Sequence, residues 1–266
     1  MISATKKNLL GVLVDVVDHR RAAELVIEAA QQRRSFSVSA LAVHGVMTGV
    51  LNAVHRYRLN HLDLVVADGQ PVRWALNHLY SAGLRQRVYG PNLMLNVVER
   101  STREGIPVYF YGTTPGVLDA LCGKLRQKFP GVKIAGAEPS QFATVSADAA
   151  DEIAERIRAS GAQIVFAGLG CPRQEVWAYE FRDRLNMPIL AVGAAFHMLA
   201  GTMPMAPKWM QDRGLEWLFR LCLEPRRLWH RYLVLGPIYL AMVLGQWTGM
   251  SFHDEGKQPE QEVLYG

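Results

Sequence analysis

Residues 62–75 read LDLVVADGQPVRWA, and the fold class follows from them. After Asp63 the run is apolar up to Asp68, with no polar alternation, as in a strand buried on both faces. Gly69 allows a sharp turn, and Pro71 suits the first turn of a helix. A buried strand, a tight turn and a helix make half of a βαβ unit. The same grammar recurs in both directions along the chain. Apolar runs that read as strands are Leu9–Val17, Phe36–Val43, Leu62–Ala67, Pro107–Gly112, Val132–Ala137, Ile164–Gly168 and Ile189–Val192. Helical patterns such as Arg20–Gln32, Pro115–Lys128 and Ala147–Ser160 lie between them. This alternation predicts an α/β protein with a mostly parallel, Rossmann-like sheet covered by helices on both faces. Ligands then bind outside the carboxyl ends of the strands.

The chain has 266 residues, half of them hydrophobic and 20% charged, which supports a sizeable core and argues against wholesale disorder. Its net charge of +5 suits anionic partners without choosing among a diphosphate, an acidic lipid and a nucleic acid. Cys122, Cys171 and Cys222 are too widely spaced for a disulfide framework or a zinc site and fit a reducing compartment. The apolar run near the N-terminus leads into Asp15, Asp18, His19, Arg20 and Arg21, so it reads as a strand and not as a secretory leader.

Chemistry is expected just after the strands. Asp68, at a buried strand tip, is placed to act as a general base, or else to cap the helix that begins near Pro71; the two roles are compatible. Arg87, in RVYGPNLM, is a forked donor for sugar or phosphate, or a solvated surface arginine. Gly112 and Thr113 open a helix after a strand and could form a phosphate cradle, or an ordinary cap. Gly168 and Gly170 permit close backbone approach, and the neighbouring Gln174 could pair with a base or sugar edge. Cys171 has no His/Asn arrangement that would make it a nucleophile. Neither the dinucleotide nor the Walker glycine fingerprint is present.

Character changes after Gly201. From Lys208 to Arg231 the net charge is +3, with Arg220, Arg226, Arg227, His230 and Arg231 crowded together. Such a cluster suits a diphosphate or an anionic membrane surface. Tyr232–Phe252 then carries no charge, but Gly236, Pro237, Gly245 and Gln246 interrupt it. It is expected to dock on a bilayer surface or on the domain rather than to span a membrane. The expected division is a catalytic domain over 1–201, a basic and apolar helical appendage over 202–252 serving as lid and membrane dock, and a disordered tail over 253–266. No Asp-x-Asp pair offers to hold a metal on a diphosphate.

Taken in order, ADGQPVRWA (67–75), RVYGPNLM (87–94), VYFYGTTPGV (108–117), GLGCPRQEVW (168–177), VGAAFHMLAG (192–201), APKWM (206–210) and GLEWLFRLCLEPRRLWHRY (214–232) resemble the WecG/TagA/CpsF glycosyltransferase family. The resemblance implies an inverting, metal-independent transferase without cofactor. Its donor would be a UDP-sugar, such as UDP-N-acetylmannosamine or the uronic acid. Its acceptor would be a polyprenyl-diphosphate-linked glycan of a bacterial surface polysaccharide, met at the cytoplasmic face of the plasma membrane. It also implies Asp68 as base, Arg87 and Gln174 in the active site, and Arg220 and Arg227 on the donor diphosphate; Arg231, in the same basic cluster, is a further candidate to meet that charge. Four motifs depart from the family pattern: Ala40-Leu41-Ala42 stands for Thr-x-Asn, Asn92 for the Asp of GxDL, His197 for the Asp of FD, and Met205 for the Arg of RAP. The alternatives are a non-catalytic UDP-sugar-binding or assembly subunit, and a Rossmann oxidoreductase or epimerase. A nucleic-acid partner is not expected, because the basic residues adjoin an apolar segment. Oligomeric state, a homo-oligomer included, is left open.

Overall fold

Leu64 and Val66 pack into one hydrophobic cluster while Val65 and Ala67, between them in sequence, pack into another. Ile164 and Phe166 against Val165 and Ala167 repeat the pattern. A period of two with apolar residues on both sides defines a central sheet between two layers of helix. The computed structural model describes residues 5–266.

The chain runs β1 (Thr5–Leu9), β2 (Val12–Val16), α1 (His19–Gln31), β3 (Phe36–Leu41), α2 (Val43–Leu51), α3 (Ala53–Asn60), β4 (Leu64–Ala67), α4 (Gln70–Tyr80), α5 (Gly90–Glu104), β5 (Val108–Tyr111), α6 (Pro115–Lys128), β6 (Ile134–Glu138), α7 (Ala147–Ala159), β7 (Ile164–Ala167), α8 (Arg173–Leu185), β8 (Pro188–Ala191) and α9 (Ala194–Ala200). After these come α10 (Lys208–Asp212), α11 (Glu216–Leu223), α12 (Pro225–Trp229), a π-helical segment (His230–Val234) and α13 (Leu235–Trp247). The eight strands form one sheet in the order β1-β2-β4-β3-β8-β7-β5-β6. Every pairing is parallel except the β1–β2 hairpin at one edge. Helices α1, α5, α6 and α9 cover one face; α2, α3, α4, α7, α8 and α13 cover the other.

The expected α/β architecture is what the chain adopts, with two local differences. The run Leu9–Val17 is not one strand. Leu10 and Gly11 both take positive φ, 56° and 88°, and fold it into the β1–β2 hairpin. The tail, expected to be disordered, packs against the body. The side chains of Asn60 and Arg56 donate to the backbone oxygens of Asp254 and Glu255, Leu264 is buried, and Tyr265 bridges antiparallel to Thr144. Its polar composition conceals this because backbone groups make most of the bonds.

The apolar run 232–252 packs on the domain along one side. Pro225–Trp247 is a continuous helix of 23 residues, long and apolar enough by composition to cross a membrane. Leu235 and Tyr239 are buried beneath it, and the Tyr239 hydroxyl donates to the Pro71 carbonyl. Gln246, the polar residue in the run, accepts from the Leu10 N–H and donates to the Asn8 carbonyl. The opposite face carries exposed Trp229, Leu233, Leu240, Leu244 and Trp247.

Candidate active site

Strands β3, β4, β7 and β8 end on the same side of the sheet, and a cavity of about 540 Å³ opens there. Its floor comes from the turns after those strands and its cover from α11, α12 and the π-helical segment. This is where a doubly wound sheet is expected to hold a ligand.

Asp68 stands at the tip of β4, half-buried, facing the cavity. It does not cap α4, which starts from Gly69 without a side-chain cap. Its Oδ1 accepts instead from the Gly90 N–H at 3.1 Å, the first N–H of α5. Withdrawal from water pushes the Asp68 carboxyl up to about 6. Arg87, the Gly90 N–H and Arg220 pull the other way, and Glu216 adds to the rise. A carboxyl so poised accepts a proton readily near neutral pH while remaining largely ionised.

Arg87 lies one layer behind the cavity and does not line it. Its Nη2 pairs with Glu216 Oε2 at 2.5 Å, and its guanidinium sits 4.1 Å from the Tyr89 ring centroid. Burial disfavours its charge, but Asp68 and Glu216 outweigh that and raise its pKa. Tyr89 and Glu216, which the sequence reading did not single out, do line the cavity, and Tyr89 donates to Glu216 Oε1 at 3.3 Å. Arg87 therefore anchors α11 to the wall next to Asp68.

The glycine turns come together as expected, but for packing as much as for ligand approach. A Cβ on Gly112 would lie 2.9 Å from the Gly168 carbonyl carbon, and one on Gly168 would press on the Phe196 ring. Gly168 and Gly170 line the cavity; Gly112 and Thr113 do not. Thr113 reaches it through His197, with its Oγ1 3.1 Å from Nε2. Burial and the nearby Arg227 lower the His197 pKa and disfavour its charged form.

Gln174 lines the cavity, yet its amide is committed to the protein. Oε1 accepts from the Gly170 and Gly193 N–H groups at 3.1 and 2.8 Å, and Nε2 donates to Glu175 Oε1 at 2.8 Å. It pins the turns after β7 and β8 to each other rather than offering an edge to a base. Glu175 is fully buried and lines the cavity. It also accepts from the Ser39 hydroxyl, and its Oε2 has no hydrogen-bond partner among the described residues. Burial raises its pKa. Its position next to Gln174 was the available signal, and nothing in the sequence told that it would face inward. Burial also holds the Cys171 thiol well above its usual range, which leaves it a poor nucleophile.

Arg220 on α11, Glu224 at the break before α12, Arg227 on α12 and Arg231 on the π-helical segment all line the cavity. Arg227 pairs with Glu224 at 2.7 Å. The Nε groups of Arg220 and Arg231 are buried without a hydrogen-bond partner among the described residues. Burial, with help from Arg220 and Arg227, lowers the Arg231 pKa. Crowded guanidinium donors lacking acceptors fit an anion with several oxygens. Among the described residues no three His, Cys, Asp or Glu side chains gather in metal-binding fashion. Ala40 and Ala42, where the resembling family carries Thr and Asn, also line the cavity and offer it only methyl groups.

A carboxyl with a raised pKa thus faces a set of underused arginines across one cavity, at the ligand end of an α/β sheet. Residues 7–252, nearly the whole chain, match the Glycosyl transferase WecG/TagA/CpsF family, and the protein belongs to that family of glycosyltransferases.

Proposed function

We propose that the protein moves a sugar from a UDP-sugar onto a polyprenyl-diphosphate-linked glycan, with inversion and without a metal ion. The observation that carries this reading is the pairing, across one cavity, of Asp68 with Arg220, Arg227 and Arg231. Asp68 takes the proton of the acceptor hydroxyl as that oxygen bonds to the anomeric carbon. The bond from that carbon to the donor phosphate breaks, and its electron pair leaves with UDP. The arginines meet the charge that grows on the diphosphate, as electrostatic catalysis requires. Helices α11 and α12 cover the cavity, so the same elements that hold the diphosphate exclude the water that would otherwise hydrolyse the donor. The exposed apolar face of Pro225–Trp247, next to exposed Arg226, supports peripheral docking on an anionic membrane where a lipid-linked acceptor resides.

The test is a panel of UDP-sugars supplied with a polyprenyl-diphosphate glycan in vesicles, read by mass spectrometry of the lipid product, with and without EDTA. Transfer that persists in EDTA is the expected result. UDP binding with no transfer from any donor would instead favour a non-catalytic subunit, the reading to which Ala40 and Ala42 lend weight.

A further inference from the structure

Residues 253–266 lie beyond the stretch that matches the family, which ends at residue 252. They nevertheless pack against a loop that lines the candidate active site. Leaving α13, the chain crosses α3, where the Lys257 N–H donates to the Ala53 carbonyl at 2.9 Å. It continues over α8, where Arg184 pairs with Glu262 at 2.8 Å. It ends against the loop 139–145 between β6 and α7. There the Val145 N–H donates to the Leu264 carbonyl and the Gly266 N–H donates to the Ala143 carbonyl, both at 3.0 Å.

That loop carries Phe142, a cavity-lining residue that is 39% exposed. Ser140 joins the tail to it directly. Its hydroxyl donates to the Gly266 backbone oxygen at 2.5 Å and accepts from the Phe142 N–H at 2.9 Å. Tyr265 lies under the Arg173 guanidinium, 5.7 Å from ring centroid to carbon, and Arg173 opens the helix that follows the cavity-lining turn Gly170–Cys171. Apart from these bonds, the loop's backbone tie to the neighbouring strand ends is one longer bond, from the Ser140 N–H to the Thr113 carbonyl at 3.3 Å, among the described residues.

We infer that residues 259–266 form a clasp that fixes the Phe142 loop as one wall of the substrate cavity, which makes the tail a positioning element for transfer. The inference rests on the proposed transferase reading only for what fills the cavity. A loop held by a strap presents its aromatic ring already in place, so the ligand does not have to order it. Releasing the strap weakens binding of the substrate and leaves the chemical step, at Asp68 on the far strand tip, nearly unchanged.

The test compares the full chain, a chain ending at Gln258, and Ser140→Ala. Hydrogen exchange at the Phe142 and Val145 amides is expected to accelerate about tenfold or more in the truncated chain and less in Ser140→Ala. Donor KM should rise about three- to tenfold with kcat held within about twofold. Truncation should add nothing further to the KM of Phe142→Ala. If truncation prevents folding by circular dichroism, Ser140→Ala carries the comparison. Unchanged exchange in the loop, or a fall in kcat at constant KM, overturns the clasp. A full chain that transfers no sugar sinks the transferase reading alone, because exchange still decides whether the tail holds the loop.

Discussion

At the scale of single residues, the proposed reaction divides labour between one carboxyl and three guanidinium groups. As the proposed base, Asp68 would have to be ionised to accept a proton, and its pKa of about 6 would place the loss of activity higher than an ordinary carboxylate does. As pH falls through 6 the base becomes protonated, so kcat/KM is expected to drop about tenfold per unit below that point. Asp68→Asn should lower kcat by about 10²- to 10⁴-fold and abolish this acid limb while UDP affinity stays near that of the parent. A pH–rate profile of the two proteins, with calorimetry for UDP, checks both parts. Arg231 makes the opposite case. Its buried Nε awaits an acceptor, so Arg231→Ala should weaken UDP about 10- to 100-fold, in line with losing one charge-assisted bond. Arg231→Lys should recover little, since a point charge does not reproduce a planar fork. Rescue by lysine in the same calorimetry would mean that charge alone is being read. Asp68 and the arginines were legible in the sequence because a carboxylate after an apolar strand and a crowd of basic residues both stand out. Gln174 was misread: an amide able to pair with a base is equally able to pair with two backbone N–H groups, and only the packing decides which. Tyr89, Glu216 and Phe142 carry no local signal, since elements distant in sequence bring them to the cavity.

Among the elements, the strands were legible because parallel strands buried on both faces are continuous apolar runs, and the helices between them supplied the period. The edge strand β1 was hidden by its polar composition, with Lys6, Lys7 and Asn8 in place of alternation. The helix Pro225–Trp247 was legible as apolar, and its way of docking was not, because that depends on one glutamine. Gln246 accepts from the Leu10 N–H at 3.0 Å and donates to the Asn8 carbonyl and the Tyr80 hydroxyl at 2.9 and 3.2 Å. Replacing it leaves the Leu10 N–H of the hairpin turn without a partner and the Asn8 carbonyl with only the Tyr80 hydroxyl. Gln246→Leu is therefore expected to cost about 1–3 kcal/mol in urea unfolding, even though leucine is the more apolar residue. The same helix carries Arg227 and Arg231 at its other end. Loosening its anchor should accordingly weaken UDP binding as well, by a factor smaller than that of Arg231→Ala. Unchanged stability together with unchanged affinity would show that Leu235 and Tyr239 suffice to dock the helix.

Over the whole molecule, the cavity and the apolar face lie on the two sides of one C-terminal layer. Arg220, Arg227 and Arg231 line the cavity, while Trp229, Leu233, Leu240, Leu244 and Trp247 turn to solvent. A helix with one side packed on a domain and a row of large apolar groups on the other leaves that row exposed unless a bilayer takes it up. Fully burying a leucine side chain contributes about 1.5–3 kcal/mol, so a few such residues reach useful membrane affinity once basic residues add their share. Trp229→Glu, Leu240→Glu and Leu244→Glu together should then reduce sedimentation with phosphatidylglycerol vesicles by more than about tenfold. They should leave UDP affinity in solution close to that of the parent, because none of the three lines the cavity. Transfer to an acceptor held in vesicles should fall in step with the lost binding, whereas transfer to a short, detergent-dispersed acceptor should not. The division between the two acceptors separates docking from catalysis: a variant that binds vesicles weakly yet glycosylates the embedded acceptor at the parent rate would mean that the acceptor comes to the enzyme without the membrane's help.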